Sequence, residues 1–379
     1  MIYLDAAATT KPDQRVVDAM MPYFTAKWYN PSSLYRIATD IKQNVDAARS
    51  IIGEFIGVKG SEIFFTSGGS ESNCWAIQGF VNQCLLNKKN PCIITSKIEH
   101  KSILECVYNS NAKSIFIDVD KDGFVNIEEL EYWLSMAKNL NYNTLVSIQF
   151  ANNEIGTIQH IKEIAELAHK YNATFHTDSV QAFGQVDINV EELGIDMMTM
   201  SGHKIRAVKG IGCLYIKNGI NIQPLIYGTQ MDSMRGGTEN VPYIMGMAKA
   251  VQLVQRDKEY QLRLTVLRND FIKRLKAIGC SVNGSLDERL PNNISVILPD
   301  GVSGESILYM LDMSGIFVST GSACNSHSIE PSYVLKAIKL TDEEAMRTIR
   351  MSLPHDITMD NIDYVVDEIE KAIKIIKTN

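Results

Sequence analysis

Ser201-Gly202-His203-Lys204 closes one run of strand-like residues, and His176-Thr177-Asp178 closes another, with Gln181 just beyond. A lysine amine, a carboxylate and several small polar groups thus fall at the ends of neighbouring strands. That set suits pyridoxal phosphate (PLP). The amine can form a Schiff base with the aldehyde, and the carboxylate can keep the pyridine nitrogen protonated, so that the ring withdraws electrons from a substrate carbanion. Ser201 and His203 are candidates for gripping the phosphate. Further on, Gly321-Ser322-Ala323-Cys324-Asn325-Ser326 places a thiol in a stretch, Ser319 to Ser328, with no bulky apolar residue. Packing cannot anchor such a segment, so the expectation is an exposed loop carrying a nucleophilic cysteine, with sulfur as the product. His327 is a candidate for activating that thiol, or an ordinary solvated loop histidine.

Other motifs have a functional and an ordinary reading. Thr66-Ser67-Gly68-Gly69-Ser70-Glu71-Ser72-Asn73 follows a strand and opens a helix. The glycines allow close backbone approach, and the helix amides at Gly69 with the Ser70 hydroxyl can bind a phosphate. The ordinary alternative is a strand-to-helix turn with Ser70 as the cap. His100, just after a strand, can stack on a flat cofactor ring or simply cap a helix, and His176 reads as structural. Asn152-Asn153-Glu154-Ile155-Gly156 can orient a substrate carboxylate through its amides, or form a turn. Arg350 can clamp a carboxylate by two parallel hydrogen bonds, or lie on the surface. Asp118-Val119-Asp120-Lys121-Asp122-Gly123 with Glu129 matches a calcium-loop pattern. A β-branched strand precedes it where that motif needs a helix, so a strand, a turn and a helix from near Asn126 explain it better. No metal is expected.

These residues need a scaffold. Helical spacing over Val45 to Ile56 and from Ser70 onward alternates with short apolar runs at Glu62–Thr66, Cys92–Thr95, Ser114–Ile117, Leu145–Ile148 and Thr174–His176. Strands separated by helices imply βαβ units and a mainly parallel sheet covered on both faces. Ligands of such sheets bind at the carboxyl ends of the strands, where these candidate residues fall. The texture changes near residue 257. A charged helix from Arg256 to Leu275 leads into a second α/β region that ends in a helix from Met359 to Lys377. The expected division is a large domain, 14–257, and a smaller one made of 1–13 and 258–379.

The chain has 379 residues, 45% of them hydrophobic, and a net charge of −7. That length supports two domains. The absence of a basic block argues against a stable nucleic-acid surface. The N-terminus lacks the features of a signal peptide, and no run of about 20 apolar residues suggests a membrane span. The seven cysteines include no CxxC pair. An odd count without such spacing leads to the expectation of free thiols in a reducing, cytoplasmic setting.

Taken together, Ser67 to Asn73, Asn152-Asn153-Glu154-Ile155-Gly156, Ser201 to Lys204 and Gly321 to Cys324 with Glu330-Pro331-Ser332-Tyr333-Val334-Leu335 resemble the cysteine desulfurases. These are class V aminotransferases of PLP fold type I, and the similarity runs over nearly the whole chain. The resemblance implies a mainly parallel seven-stranded sheet flanked by helices, with a smaller α/β domain. It implies that Lys204 carries PLP and moves the substrate α-proton, that Asp178 pairs with the pyridinium, that Gln181 touches the ring hydroxyl and that His100 stacks on the ring. Ser70, Ser201 and His203 would bind phosphate, joined by Thr238 from the second subunit of a homodimer. Asn153 and Arg350 would hold the carboxylate of L-cysteine. Cys324 would take its sulfur as a persulfide for a separate acceptor protein, in iron–sulfur cluster assembly or tRNA thiolation. The chain departs from the family pattern at Tyr35, at Arg206-Ala207-Val208 and at Tyr227-Gly228-Thr229-Gln230-Met231. A related PLP lyase or aminotransferase, or a non-catalytic scaffold of the same fold, are the alternative readings.

Overall fold

The computed structural model describes residues 1–257, 259–320 and 330–378. After a two-residue strand, β1 (Ile2–Tyr3), the main sheet is built from β2 (Ile63–Thr66), β3 (Asn90–Ser96), β4 (Lys113–Ile117), β5 (Tyr142–Ser147), β6 (Thr174–Asp178), β7 (Met197–Ser201) and β8 (Gly212–Ile216). The order across it is β2-β8-β7-β6-β5-β3-β4. Only β8 runs against its neighbours, so β2, β3, β5, β6 and β7 end on the same edge. β7 and β8 are buried along their whole length, as helices on both faces require of a central strand, and so is the edge strand β2. Phe175 and Phe183 beneath this edge are fully buried. Each such side chain contributes about 1.5–3 kcal/mol, which keeps the strand ends in fixed register.

The other strands are β9 (Ser281–Val282), β10 (Asn293–Ile297), β11 (Ile316–Phe317), β12 (Ser319–Thr320) and β13 (Thr348–Ser352). An antiparallel sheet has the order β12-β13-β10-β9, and β1 pairs with β11. A second apolar core under these strands includes Leu4, Phe271, Val296 and Met351. Because Leu4 is held there and Asp5 bridges to Ser352, residues 5–10 pass close to the carboxyl edge of the main sheet. The helix Tyr333–Ala337 instead contributes Val334 and Leu335 to the core of the main sheet, with Phe175 and Phe183.

Beyond small shifts in element ends, the structure differs from the sequence reading as follows. The helix expected over Arg256 to Leu275 is Tyr260–Ala277, and Arg256 instead ends the preceding helix, Val241–Arg256; between them the Asp257 carboxylate meets His355 Nε2 at 2.8 Å. The strand expected at Leu145–Ile148 spans Tyr142–Ser147. The expectation of free thiols fails at Cys74 and Cys106, which form a disulfide. Their separation of 32 residues carries no pairing signal, but two helices packed side by side bring their α-carbons to 5.8 Å. Cys84, Cys92, Cys213 and Cys280 are free and buried.

The calcium-like segment is a turn. Asp120 Oδ1 accepts from the amides of Asp122 and Phe124, Asn126 caps the helix Ile127–Asn139, and Glu129 Oε2 accepts from the Asp118 amide. Strand β4 stands before it, and no cluster of metal-binding side chains occurs among the described residues. No helix among the described residues is long and apolar enough to cross a membrane.

Candidate active site

A cavity of about 350 Å³ opens at the carboxyl edge of the main sheet. Its walls bring together Gly69, Ser70, His100, Asn153, Asp178, Gln181, Ser201, His203, Lys204 and Arg350. Thr238 is exposed and does not line it. Cys324 and His327 lie outside the described residues.

Lys204 ends the short turn Gly202–Lys204 that follows β7, and its Nζ donates to the carbonyls of Ala7 at 2.5 Å and Ala8 at 2.8 Å. Asp178 is the last residue of β6. Its Oδ2 accepts from Asn73 Nδ2 at 2.7 Å and its Oδ1 from the Val180 amide at 2.9 Å. These bonds hold the carboxylate at the cavity wall. Gln181 Nε2 donates to the Ala7 carbonyl at 3.1 Å.

The helix Gly69–Leu86 starts at the cavity, so its unpaired first-turn amides create a positive end there. Its cap is Gly68, at φ 156° and ψ −178°, a conformation essentially restricted to glycine. Ser70 is therefore inside the first turn and is not the cap. A side chain at Gly69 would put a Cβ 2.7 Å from Val180 Cγ2, so glycine is what allows the backbone to lie against the segment that follows β6. Glu71 in the same turn pairs with Arg235 at 3.0 Å, tying down the segment that leads to Thr238.

His203 Nδ1 is 3.2 Å from Thr9 Oγ1, and burial, with Lys204 and Lys209 nearby, lowers its pKa to about 4. It is neutral at physiological pH and serves as a hydrogen-bonding group without charge. His176 lies under the site between Ser147 Oγ at 2.9 Å and Thr199 Oγ1 at 3.0 Å. Burial lowers it to about 3, in keeping with a structural residue. Arg350 is central in the smaller sheet, paired in register with Ser295 and Ser319. Its Nη2 meets Asp5 Oδ1 at 2.7 Å and its Nη1 the Asn153 carbonyl at 3.4 Å, while its Nε is buried with no hydrogen-bond partner among the described residues. An unsatisfied donor beside a paired cation is what a carboxylate ligand would complete.

Asn73 belongs to the Ser67 to Asn73 motif, but other lining residues gave no recognisable sequence signal. Asp5, Ala7 and Ala8 come from the N-terminal segment, and Ser102 and Gln149 join the wall. Two buried acids stand behind it. Glu99 accepts from Ser96 Oγ at 2.6 Å and from the Gln149 amide, and burial pushes its pKa up to about 8. Glu154 accepts from Ser332 Oγ at 2.5 Å, and burial pushes it to about 7.

A lysine amine, a carboxylate and a helix N-terminus on one cavity define a site with the donor set of a PLP enzyme. Residues 2–365 match the family model described as aminotransferase class-V. The chain is similar to cysteine desulfurase IscS of Dictyoglomus turgidum, 43% identical over 386 residues, covering 100% of this chain and 95% of that one. The IscS of Methanosarcina thermophila is 42% identical over 98% of this chain and 92% of its own. Among solved structures, a NifS-like protein superposes with a TM-score of 0.90 at 33% identity, covering 99% of both chains. SspA in complex with cysteine gives a TM-score of 0.82 at 34% identity over 93% of this chain and 99% of that one. The chain belongs to the class-V aminotransferase family, within its cysteine desulfurase group.

Proposed function

We propose that this cavity holds PLP and L-cysteine, and that the chain converts cysteine to alanine and a persulfide on Cys324. The observation that carries this reading is the convergence of Lys204, Asp178 and the helix N-terminus at Gly69 on one cavity, with Arg350, its Nε unpaired, at its edge. When bound there, PLP supplies an electrophilic aldehyde and an electron sink. Lys204 provides the amine for covalent attachment and takes up the substrate α-proton. Asp178, held by Asn73 and the Val180 amide, keeps a proton on the ring nitrogen. Gln181 would contact the ring hydroxyl and His100 would lie on the ring face. Ser70, Ser201, His203 and the first-turn amides at Gly69 take the phosphate, with Thr238 of a second copy.

Arg350 and Asn153 bind the cysteine carboxylate, for which Arg350 turns from Asp5. The Cys324 thiolate then attacks the substrate sulfur. The substrate C–S bond breaks, an S–S bond forms, and protonation at the substrate carbon gives alanine. The balance is cysteine plus enzyme thiol to alanine plus enzyme persulfide, with no outside oxidant. Burial raises the pKa of Cys84, Cys92, Cys213 and Cys280, so these thiols are poor substitutes. The relatives' names and the cysteine-bound neighbour support the substrate.

On this reading 14–257 forms the cofactor domain, and 1–13 with 258–379 brings Arg350 and Cys324 to it. The enzyme is a cytoplasmic homodimer that passes sulfur to a separate acceptor protein, an iron–sulfur scaffold or a tRNA-thiolation carrier. The test is Cys324→Ala. The variant should still bind cysteine, yet carry no persulfide and release no sulfide. Sulfide release near the parent rate would instead identify a direct lyase.

A further inference from the structure

His100 caps the helix Lys101–Tyr108, and its Nδ1 accepts from the Ser102 backbone amide at 3.1 Å. A backbone N–H can only donate, so Nδ1 must present a lone pair. Ser102 Oγ lies 2.8 Å from the same nitrogen. That hydroxyl also receives an N–H from Asn73 Nδ2 at 2.9 Å, which leaves its own proton to point at Nδ1. The second N–H of the Asn73 amide goes to Asp178 Oδ2 at 2.7 Å.

The amide cannot be turned over, because its oxygen would then face the carboxylate and the serine would lose its donor. Asn73 Oδ1 is buried without a partner. The residue gives up its acceptor to place both donors on this chain. The disulfide reinforces the same seam: Cys74 follows Asn73, and Cys106 lies one helical turn beyond Ser102.

We propose that Ser102 and Asn73 are positioning residues that hold His100 as the neutral imidazole with its proton on Nε2, and that Asn73 links this state to Asp178. This deepens the reading of His100 and Asp178 given above and rests on it for its catalytic meaning. A lone pair engaged at Nδ1 cannot take a proton from substrate. His100 therefore acts in the cavity only as a neutral ring or as a donor through Nε2, and proton acceptance falls to Lys204. Burial of the ring, with Lys204 and Lys101 nearby, opposes charging, while Asp178 favours it. Two donors aimed at Nδ1 add to the opposing side.

The experiment is nitrogen-15 NMR of the full-length chain labelled at histidine, with and without added PLP, with His100 assigned from the spectrum of His100→Gln. In the parent, Nδ1 should be unprotonated and Nε2 protonated at neutral pH. In Ser102→Ala, which keeps the backbone donor but removes the hydroxyl, the His100 titration midpoint should shift upward. Ser102→Thr should restore the parent behaviour. A proton on Nδ1 in the parent, or an unchanged titration in Ser102→Ala, would overturn the proposal. The parent spectrum decides the tautomer even if a variant fails to fold. Neither result bears on sulfide release, which tests the desulfurase reading separately.

Discussion

The two walls of the cavity are built on different terms. One is the carboxyl edge of the main sheet, carrying Asp178, Asn73, His100 and Ser102. Its polar side chains bond one another directly, at 2.7 to 2.9 Å, beside a disulfide. The other wall comes from the N-terminal segment and β13. There, Lys204 and Gln181 reach across to backbone carbonyls of Ala7 and Ala8, and Arg350 leans on the partly exposed Asp5. The first wall is complete before a ligand arrives. The second is held by contacts that a substrate can replace. Preorganised dipoles act most strongly where charge develops, whereas exchangeable contacts suit binding and release.

If this contrast is right, damage to the first wall should lower turnover and damage to the second should weaken binding. Asp178→Ala is expected to retain some cofactor but lose on the order of 10²–10³-fold in kcat, the usual loss for a preorganised charge. Near-normal turnover would remove Asp178 from its assigned role. Opening the disulfide should soften the first wall without touching its ligands. Closing a 32-residue separation is worth about 3 to 4 kcal/mol in the chain-entropy picture. Urea unfolding of Cys74→Ser against the oxidised parent should show most of that loss, and reductant should bring the parent down to the variant.

Arg350→Lys addresses the second wall. A point charge replaces a planar fork, so KM for cysteine should rise roughly 10- to 100-fold with kcat much less affected. An equal fall in kcat would mean that this wall, too, acts mainly in the transition state. A pH-dependent effect concerns Glu99 behind the first wall. Its folded pKa of about 8 exceeds the ordinary 4.5, so the folded state keeps a proton that the unfolded chain loses. Its contribution is fully present below about pH 4.5 and is lost as pH rises through about 8. Glu99→Gln has no such titration. Its stability relative to the parent should therefore grow between pH 5 and 8, and a pH-independent difference would place the carboxyl in a more polar environment.

The first wall was largely legible in the sequence because its residues follow strands. Ser201 to Lys204, Asp178, His100 and Gly69-Ser70 each lie a few residues after an apolar run, and a parallel sheet must bring such ends to one edge. The element pattern also disposed of the calcium motif, since a strand stood where a helix was required. What the sequence did not disclose depends on packing between segments distant in the chain. The disulfide needs two helices laid side by side. The part played by Ala7 and Ala8 needs Leu4 anchored in the second core. Arg350 meets Asp5 only because β13 and the N-terminus share that core, 345 residues apart in the chain. The donor chain through Asn73 and Ser102 is likewise tertiary. Local spacing fixes which way a side chain leaves its strand or helix, but the acceptor for its last proton is set by how the helices pack.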